Sequence, residues 1–236
     1  MSVTDTQPDR CPACHGRNYT LTASWQDWVD SCQHRPDGPM RIEAATLSGV
    51  AADAPDLLTC DTCGTVRMSQ LPTPAQLGDF YQSYHGTGDY VSKAKKKIFR
   101  AQKRILWLSL FAPRNPSGGK KRFLELGASI GTAAEAARRL GYKAHAVEID
   151  NSAVTTGREL FPQVTFTEGQ IETLPPTPSY EMIYGAEIVE HVIDPEAFLK
   201  DIHDRLVPGG LAFMTTPDAG HKKRPTHLLD WKSVKP

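Results

Sequence analysis

The stretch Phe123-Leu-Glu-Leu-Gly-Ala-Ser-Ile-Gly-Thr132 constrains this chain more than any other, because it joins an apolar run to two closely spaced glycines and then to an alanine-rich segment. Phe123, Leu124 and Leu126 read as a buried strand, Gly127 and Gly131 as a tight turn, and Thr132-Ala-Ala-Glu-Ala-Ala-Arg-Arg-Leu140 as a helix. Strand, glycine turn and helix are the unit from which open parallel sheets are built, and the same rhythm recurs downstream. A small ligand belongs at the mouth of such a turn.

Charge narrows the ligand. In the dinucleotide fingerprint G-x-G-x-x-G, glycines let backbone amides approach a pyrophosphate at a helix N-terminus. Here Ser129 and Thr132 stand at the second and third glycine positions, and Glu125 precedes Gly127 by two residues. A carboxylate there would repel an anion and attract a cation. Ala144-His-Ala-Val-Glu-Ile-Asp150 reads as the second strand and places Glu148 about twenty residues after Gly127, the distance expected for an acid on ribose hydroxyls. Adenosine carrying a positive charge suggests S-adenosylmethionine.

The spacing Glu125-x-Gly127-x-x-x-Gly131 followed by Glu148 resembles the class I S-adenosylmethionine-dependent methyltransferases. Tyr180 to Leu199, and then Leu206-Val-Pro-Gly-Gly-Leu211, are similar to that family's fourth strand, the helix after it and the entry to its fifth strand. The resemblance covers roughly residues 120 to 218. It implies a Rossmann-like α/β fold with a parallel sheet, and a cofactor site made by Glu125, Gly127, Ala128, Ser129, Gly131, Glu148, Ile149, Gln170, Ile171 and Glu187. Gln170 and Ile171, after the third strand Val164-Thr-Phe-Thr-Glu-Gly169, sit where relatives hold the adenine ring, often with Asp in place of Gln170. Ser129 departs from relatives that carry a middle glycine.

Four of the five cysteines fall in two pairs, Cys11-Pro-Ala-Cys14 and Cys60-Asp-Thr-Cys63. Two such short loops can complete a tetrahedral four-thiolate zinc site, closed and therefore structural. Neither pair has the strand-to-helix context of a redox dithiol. Cys32 stands apart as a buried or exposed free thiol. The interval 15–59, with Trp25, Trp28 and Arg35-Pro-Asp-Gly-Pro39, is expected to form short strands and loops around a zinc-ribbon-like module. Three parts follow: a zinc module over 1–75, a helical connector or lid over 76–119, and the catalytic domain over 120–236.

In the connector, Leu77, Phe80 and Tyr84 have helical spacing. A zinc knuckle followed by Pro-x-Pro and a Tyr-rich helix resembles bacterial methyltransferases of sugars, polysaccharides or small metabolites. That resemblance makes Tyr81, Tyr84, His85 and Tyr90 candidates for covering the cofactor or shaping the acceptor site, with simple packing as the alternative. Lys93 to Phe111 reads as an amphipathic helix with a basic start, in which Ile98, Ile105, Leu108 and neighbouring aromatics face the core and the lysines face water.

Glu187-Ile-Val-Glu-His191 lies at the carboxyl end of the fourth strand. If the turn there is helical, Glu187, Glu190 and His191 share one face. Three readings stand open: a loop fixed by hydrogen bonds, a catalytic base at His191, or a divalent cation held by all three. The cluster is similar to the metal-binding Glu-x-x-Glu-His of ubiquinone-pathway O-methyltransferases.

Lys plus Arg and Asp plus Glu both number 27 in 236 residues, so no global field draws the chain to nucleic acid or to an anionic membrane. No run is apolar enough to span a bilayer and no signal peptide opens the sequence, so a cytoplasmic protein is expected. The family's fold normally adds a helix and two strands after Leu211-Ala-Phe-Met-Thr-Thr216, so a truncated chain or a sheet edge filled by a partner, as in a dimer, is expected. The resemblance implies a small-molecule or sugar acceptor. Alternatives are RNA base methylation guided by the zinc module, and a non-catalytic cofactor-binding scaffold.

Overall fold

The computed structural model describes residues 10–84, 88–114, 118–217 and 228–230. They belong to two compact units, Met1–Tyr84 with Pro217–Pro236, and His85–Thr216.

In the first unit, β1 (Tyr19–Ala23), β2 (Leu57–Cys60) and β3 (Val66–Met68) form an antiparallel sheet in that order. The interval between β1 and β2 is helical, which corrects the expectation of short strands and loops. It holds α1 (Trp25–Gln33), α2 (Gly38–Leu47) and α3 (Val50–Asp53). Local chemistry explains the helices. Asp27 N donates to Ser24 Oγ at 3.2 Å and Ser24 N donates back to Asp27 Oδ2 at 2.8 Å, a reciprocal cap that satisfies two otherwise unpaired amides. Pro39 supplies a helix-compatible φ at the start of α2. Trp28, Cys32, Ala44 and Ala45 then pack with Phe80 of α4 (Pro74–Tyr84), and Trp25 stacks on Trp28 with ring centroids 4.8 Å apart. Cys32 is fully buried there, and burial pushes its thiol up, as for an inert core residue.

The second unit opens with α5 (Gly88–Leu108) and alternates strand and helix: β4 (Arg122–Leu126), α6 (Thr132–Arg139), β5 (Lys143–Glu148), α7 (Asn151–Leu160), β6 (Thr165–Glu168), β7 (Tyr180–Ala186), α8 (Pro195–Arg205) and β8 (Leu206–Thr215). The five strands are parallel in the order β6-β5-β4-β7-β8. Phe123 of β4 buries against Ile98, Ile105 and Leu108 of α5 and the alanines of α6, while Leu124 and Leu126 bury with Phe198 and Ile202 of α8. A strand covered on both faces needs the continuous apolar run that marked this stretch in the sequence. Helix α8 ends at Arg205, and Val207-Pro-Gly-Gly210 lies within β8 as a bulge: Tyr180 pairs with Leu206, and the next pair is Met182 with Leu211.

On α5, Ile98, Ile105 and Leu108 are buried as expected, but Phe99 and Trp107 are 58% and 59% exposed. Helical rotation explains the correction, because at about 100° per residue Phe99 and Trp107 turn away from the stripe that contains Ile98, Ile105 and Leu108.

Close packing of α7 on β6 generates a stability prediction. A Cβ on Gly157 would lie 2.6 Å from Phe166 Cε1 and 3.1 Å from Ile130 O. Gly157→Ala should therefore destabilise the chain by about 1–2 kcal/mol, although alanine favours helix, because the overlap outweighs propensity. Phe166→Leu in the same chain should remove most of that loss, so a double-mutant cycle by denaturant unfolding would give a coupling of roughly 1 kcal/mol. Additive effects would contradict the packing.

Candidate functional site

From β4 the chain runs outward through β5 and β6, and β7 then returns to the other side of β4. The strand order reverses between β4 and β7, and ligands of open parallel sheets bind outside the carboxyl ends of the strands at such a reversal. The ends that meet there are the Gly127–Gly131 turn after β4, Glu148–Asp150 after β5, Gly169–Ile171 after β6 and Glu187 after β7. Every residue expected at the cofactor therefore falls at one end of one sheet.

Glu125 does not stand at the mouth as an open charge. Its side chain turns onto the first turn of α6, where Oε1 accepts from Ala133 N at 3.2 Å and Oε2 from Ala134 N at 2.7 Å. The residue is 7% exposed. Burial pushes its carboxyl up to about 8, against the amides of Ala134 and Ala133, which favour the ionised form. Direct attraction of a cationic ligand is thus the wrong account. Glu125 instead occupies the amides that would cradle a phosphate, so an anion finds the helix terminus already filled.

Glu148 is the second buried carboxyl. Oε2 accepts from Ser129 N at 2.6 Å, and Oε1 accepts from Ile149 N at 2.8 Å and Asp150 N at 3.0 Å. The first of these bonds ties the β4 turn to the end of β5. It requires an unusual backbone, with Gly127 at φ 59°, Ser129 at 48° and Gly131 at 77°. Glycine accepts that region freely, whereas Ser129 holds it under strain. Ala128 is buried and donates to Val147 O at 3.1 Å, so it serves the turn through its backbone and packing.

Gly127 also makes room for a neighbour. A Cβ there would come within 2.9 Å of Ile188 Cδ1, and one on Gly185 within 2.8 Å of Ile188 Cγ2. Ile188 thus covers both glycines at the reversal between β4 and β7. It went unmarked in the sequence, where its only signal is an apolar residue next to Glu187.

The remaining candidates divide. Gln170 precedes a single 3-10 turn, Ile171–Thr173, at the end of β6. Ile171 is buried among Leu124, Leu126 and Val147, so its side chain supports the sheet rather than presenting an open apolar wall. Glu187 has a left-handed backbone at φ 58°, its amide donates to Thr215 O at 2.8 Å and its Oε1 accepts from Thr215 Oγ1 at 3.2 Å. A 3-10 turn, Val189–His191, follows, with His191 Nε2 3.7 Å from Glu190 Oε1. The turn is not α-helical and Glu187 is bent out of it. Among the described residues, Glu187, Glu190 and His191 do not gather as a set of metal-ligating atoms. Tyr90 packs against Ala94, Ile130 and Ala153 beside the glycine turn. Tyr81 packs against the core of the first unit, edge-on to Phe80. The Tyr84 side chain and His85 lie outside the described residues.

The two cysteine pairs, far apart in sequence, meet beside the three-stranded sheet. The sulfurs of Cys11, Cys14, Cys60 and Cys63 all lie within 4.8 Å of one another, with Cys11–Cys63 and Cys14–Cys60 each at 3.6 Å. Four thiolates around one tetrahedral zinc stand about 3.8 Å apart for Zn–S bonds near 2.3 Å, so the set fits that ion. Donors aimed at sulfur favour the thiolate form that a metal needs. The amides of Cys63 and Thr62 pull the Cys60 thiol down, and the hydroxyl and amide of Thr65 pull Cys63 to about 6. Without a metal the proton is left on Cys14, where the Gly16 amide is outweighed by hydrogen bonding to Cys63 and the other thiols together with burial, and the thiol is pushed up to about 12.

The state of Glu125 can be read from stability against pH. Its carboxyl lies above the ordinary value of 4.5, at about 8. The folded chain therefore holds the proton over that window, and the associated stability is fully present below 4.5 and lost as pH rises through about 8. Glu125→Gln has no proton to lose. Between pH 5 and pH 9 the wild type should lose more than about 1.4 kcal/mol relative to the variant, the worth of one pKa unit, by denaturant unfolding. Parallel pH profiles would contradict the placement of Glu125.

Comparison with known proteins is consistent with this geometry. A profile described as "Methyltransferase domain" matches residues 92–236. The ubiquinone biosynthesis O-methyltransferase of Parvibaculum lavamentivorans is 50% identical over 38 residues, 16% of this chain and 15% of that protein. A probable S-adenosylmethionine-dependent methyltransferase of Mycolicibacterium smegmatis is 26% identical over 96 residues, 40% of this chain and 37% of that protein. The chain thus spans well under two thirds of either curated relative. Among solved structures, a TehB-like SAM-dependent methyltransferase from Corynebacterium glutamicum is similar at TM-score 0.44 and 16% identity, over 54% of this chain and 71% of that one. Because the domain profile covers more than half of the sequence, including the parallel sheet and its glycine turn, the chain belongs to the methyltransferase domain family.

Proposed function

We propose that this chain binds S-adenosylmethionine at the carboxyl ends of β4, β5 and β6 and transfers its methyl group to a small-molecule or sugar acceptor. The observation that carries this reading is the pair of buried carboxyls. Glu125 fills the helix terminus that would hold a phosphate, while Glu148 sits at the end of β5. A nucleoside without phosphate suits such a site. S-adenosylmethionine supplies a methyl group activated by a positively charged sulfur.

The chain's own residues bind and orient. Three amides engage the two oxygens of Glu148, and a carboxylate has about four lone-pair positions, so an acceptor position is left for ribose hydroxyls. Gln170 offers its amide to the edge of the base. Gly127 allows close approach of the backbone, and Ile188 limits water at the same point. Catalysis rests on positioning and on exclusion of water from a charge that vanishes during transfer. Where the acceptor is a hydroxyl, His191 takes its proton, with Glu190 Oε1 3.7 Å from its Nε2.

The cysteine cluster takes zinc in this reading. Four thiolates leave no open coordination position, so the ion holds the first unit together and does no chemistry.

Two measurements check the proposal. Calorimetric titration with S-adenosylhomocysteine should show one site, and Glu148→Ala should weaken it about ten- to a hundredfold, the loss of a charge-assisted hydrogen bond. No heat at millimolar ligand, or an unchanged affinity in the variant, sinks the cofactor assignment. Metal analysis of purified protein should find one zinc per chain, and Cys63→Ser should lose the zinc and lower the unfolding temperature; metal-free wild-type protein of unchanged stability contradicts the zinc assignment.

A further inference from the structure

The chain's zero net charge hides a local asymmetry. Helix α5, Gly-Asp-Tyr-Val-Ser-Lys-Ala-Lys-Lys-Lys-Ile-Phe-Arg-Ala-Gln-Lys-Arg-Ile-Leu-Trp-Leu, carries seven Lys or Arg against one Asp, a balance of +6 (7 − 1). Its inner face is fully used by Ile98, Ala101, Ile105 and Leu108. Its outer face is also apolar: Phe99, Leu106 and Trp107 are 58–60% exposed, and Leu110 and Phe111 in the turn beyond are 78% and 62% exposed. That turn is ordered by hydrogen bonds from Leu110 N to Trp107 O and from Phe111 N to Leu108 O. Trp107 meets Phe111 edge-on at 5.1 Å, and Lys103 Nζ lies 4.4 Å over the Phe99 ring. Five large apolar side chains therefore lie exposed on this face and the turn beyond it, interleaved with the exposed cations Lys95, Lys96, Arg100 and Lys103.

Charge and shape select the occupant. A second copy laid on this face would set one +6 helix against another. A nucleic acid would neutralise the cations, but its phosphates would leave Leu106, Leu110 and Phe111 in water. An anionic bilayer satisfies both halves, since headgroups meet the lysines while leucines and aromatics enter the headgroup and acyl boundary. We propose that the outer face of α5 docks the protein on the surface of an anionic phospholipid membrane. The helix lies in the interface; among the described residues no helix is long and apolar enough to cross it. Docking in this way does not depend on the cofactor assignment, because Phe99, Leu106, Trp107, Leu110 and Phe111 lie on the face of α5 and its following turn opposite Ile98 and Ile105, and none is among the cofactor candidates or the cysteine cluster.

Co-sedimentation of the full chain with vesicles tests the inference. Binding is expected to mixed phosphatidylcholine and phosphatidylglycerol vesicles, to weaken as salt is raised, and to be far weaker on phosphatidylcholine alone. Leu106→Ser with Leu110→Ser, and separately Lys95→Glu with Lys96→Glu, should each reduce partitioning by roughly tenfold. Because these side chains are exposed, both variants should keep the wild-type unfolding temperature and S-adenosylhomocysteine affinity. Failure to pellet with the mixed vesicles, or equal pelleting of either variant, overturns the proposal. So does a dimer in sedimentation velocity that the leucine variant dissociates, or an RNA gel shift abolished by the lysine variant and kept by the leucine variant.

Discussion

The second unit depends on one interaction, the carboxyl of Glu125 set against the amides of Ala133 and Ala134 at the start of α6. The first amides of a helix have no partner within it, and a glycine turn after a parallel strand commonly leaves them for a phosphate. Here the strand supplies the acceptor. Burying that carboxyl is unfavourable, as its upward displacement to about 8 records, and the helix amides offset the cost. The same contact fixes the direction in which α6 leaves β4, brings Ser129 N to Glu148, and removes the anion site from the crevice. In the proposed reading, discrimination against a pyrophosphate would then come from the filled helix terminus and would not need a free negative charge at the opening.

Much of this was legible beforehand. The α/β order and the parallel strands follow from apolar runs of strand length, glycine turns and an alanine-rich helix, and the strand ends sit where motif spacing placed them. Spacing also paired Cys11-x-x-Cys14 with Cys60-x-x-Cys63, because two short loops leave few other ways to use four thiols. The partners of Glu125 were not legible. A carboxylate two residues before a glycine looks like an open charge until the helix folds back onto it, and only then does burial outweigh Coulomb attraction. Glu187 shows the same limit: helical spacing aligned it with Glu190 and His191, but its left-handed backbone breaks that alignment.

In the first unit the difference between expectation and structure has a local cause. Zinc-ribbon spacing suggested strands and loops between the cysteine pairs, yet Ser24-x-x-Asp27 is a helix-start signal, and Trp28 and Cys32, four residues apart, lie on one helical face. The signal was present and was outweighed by the metal motif. On α5 the period was read correctly, but one apolar stripe was assumed. Phe99, Leu106 and Trp107 form a second stripe opposite the first, which a search for a single buried face passes over.

Crystals of the chain grown with S-adenosylhomocysteine, and separately with a dinucleotide such as NAD, test the account most directly. It predicts a nucleoside at the carboxyl ends of β4 and β5, with Glu125 still on the amides of Ala133 and Ala134 and no dinucleotide bound there. A phosphate seated on those amides, with Glu125 displaced from them, would contradict it.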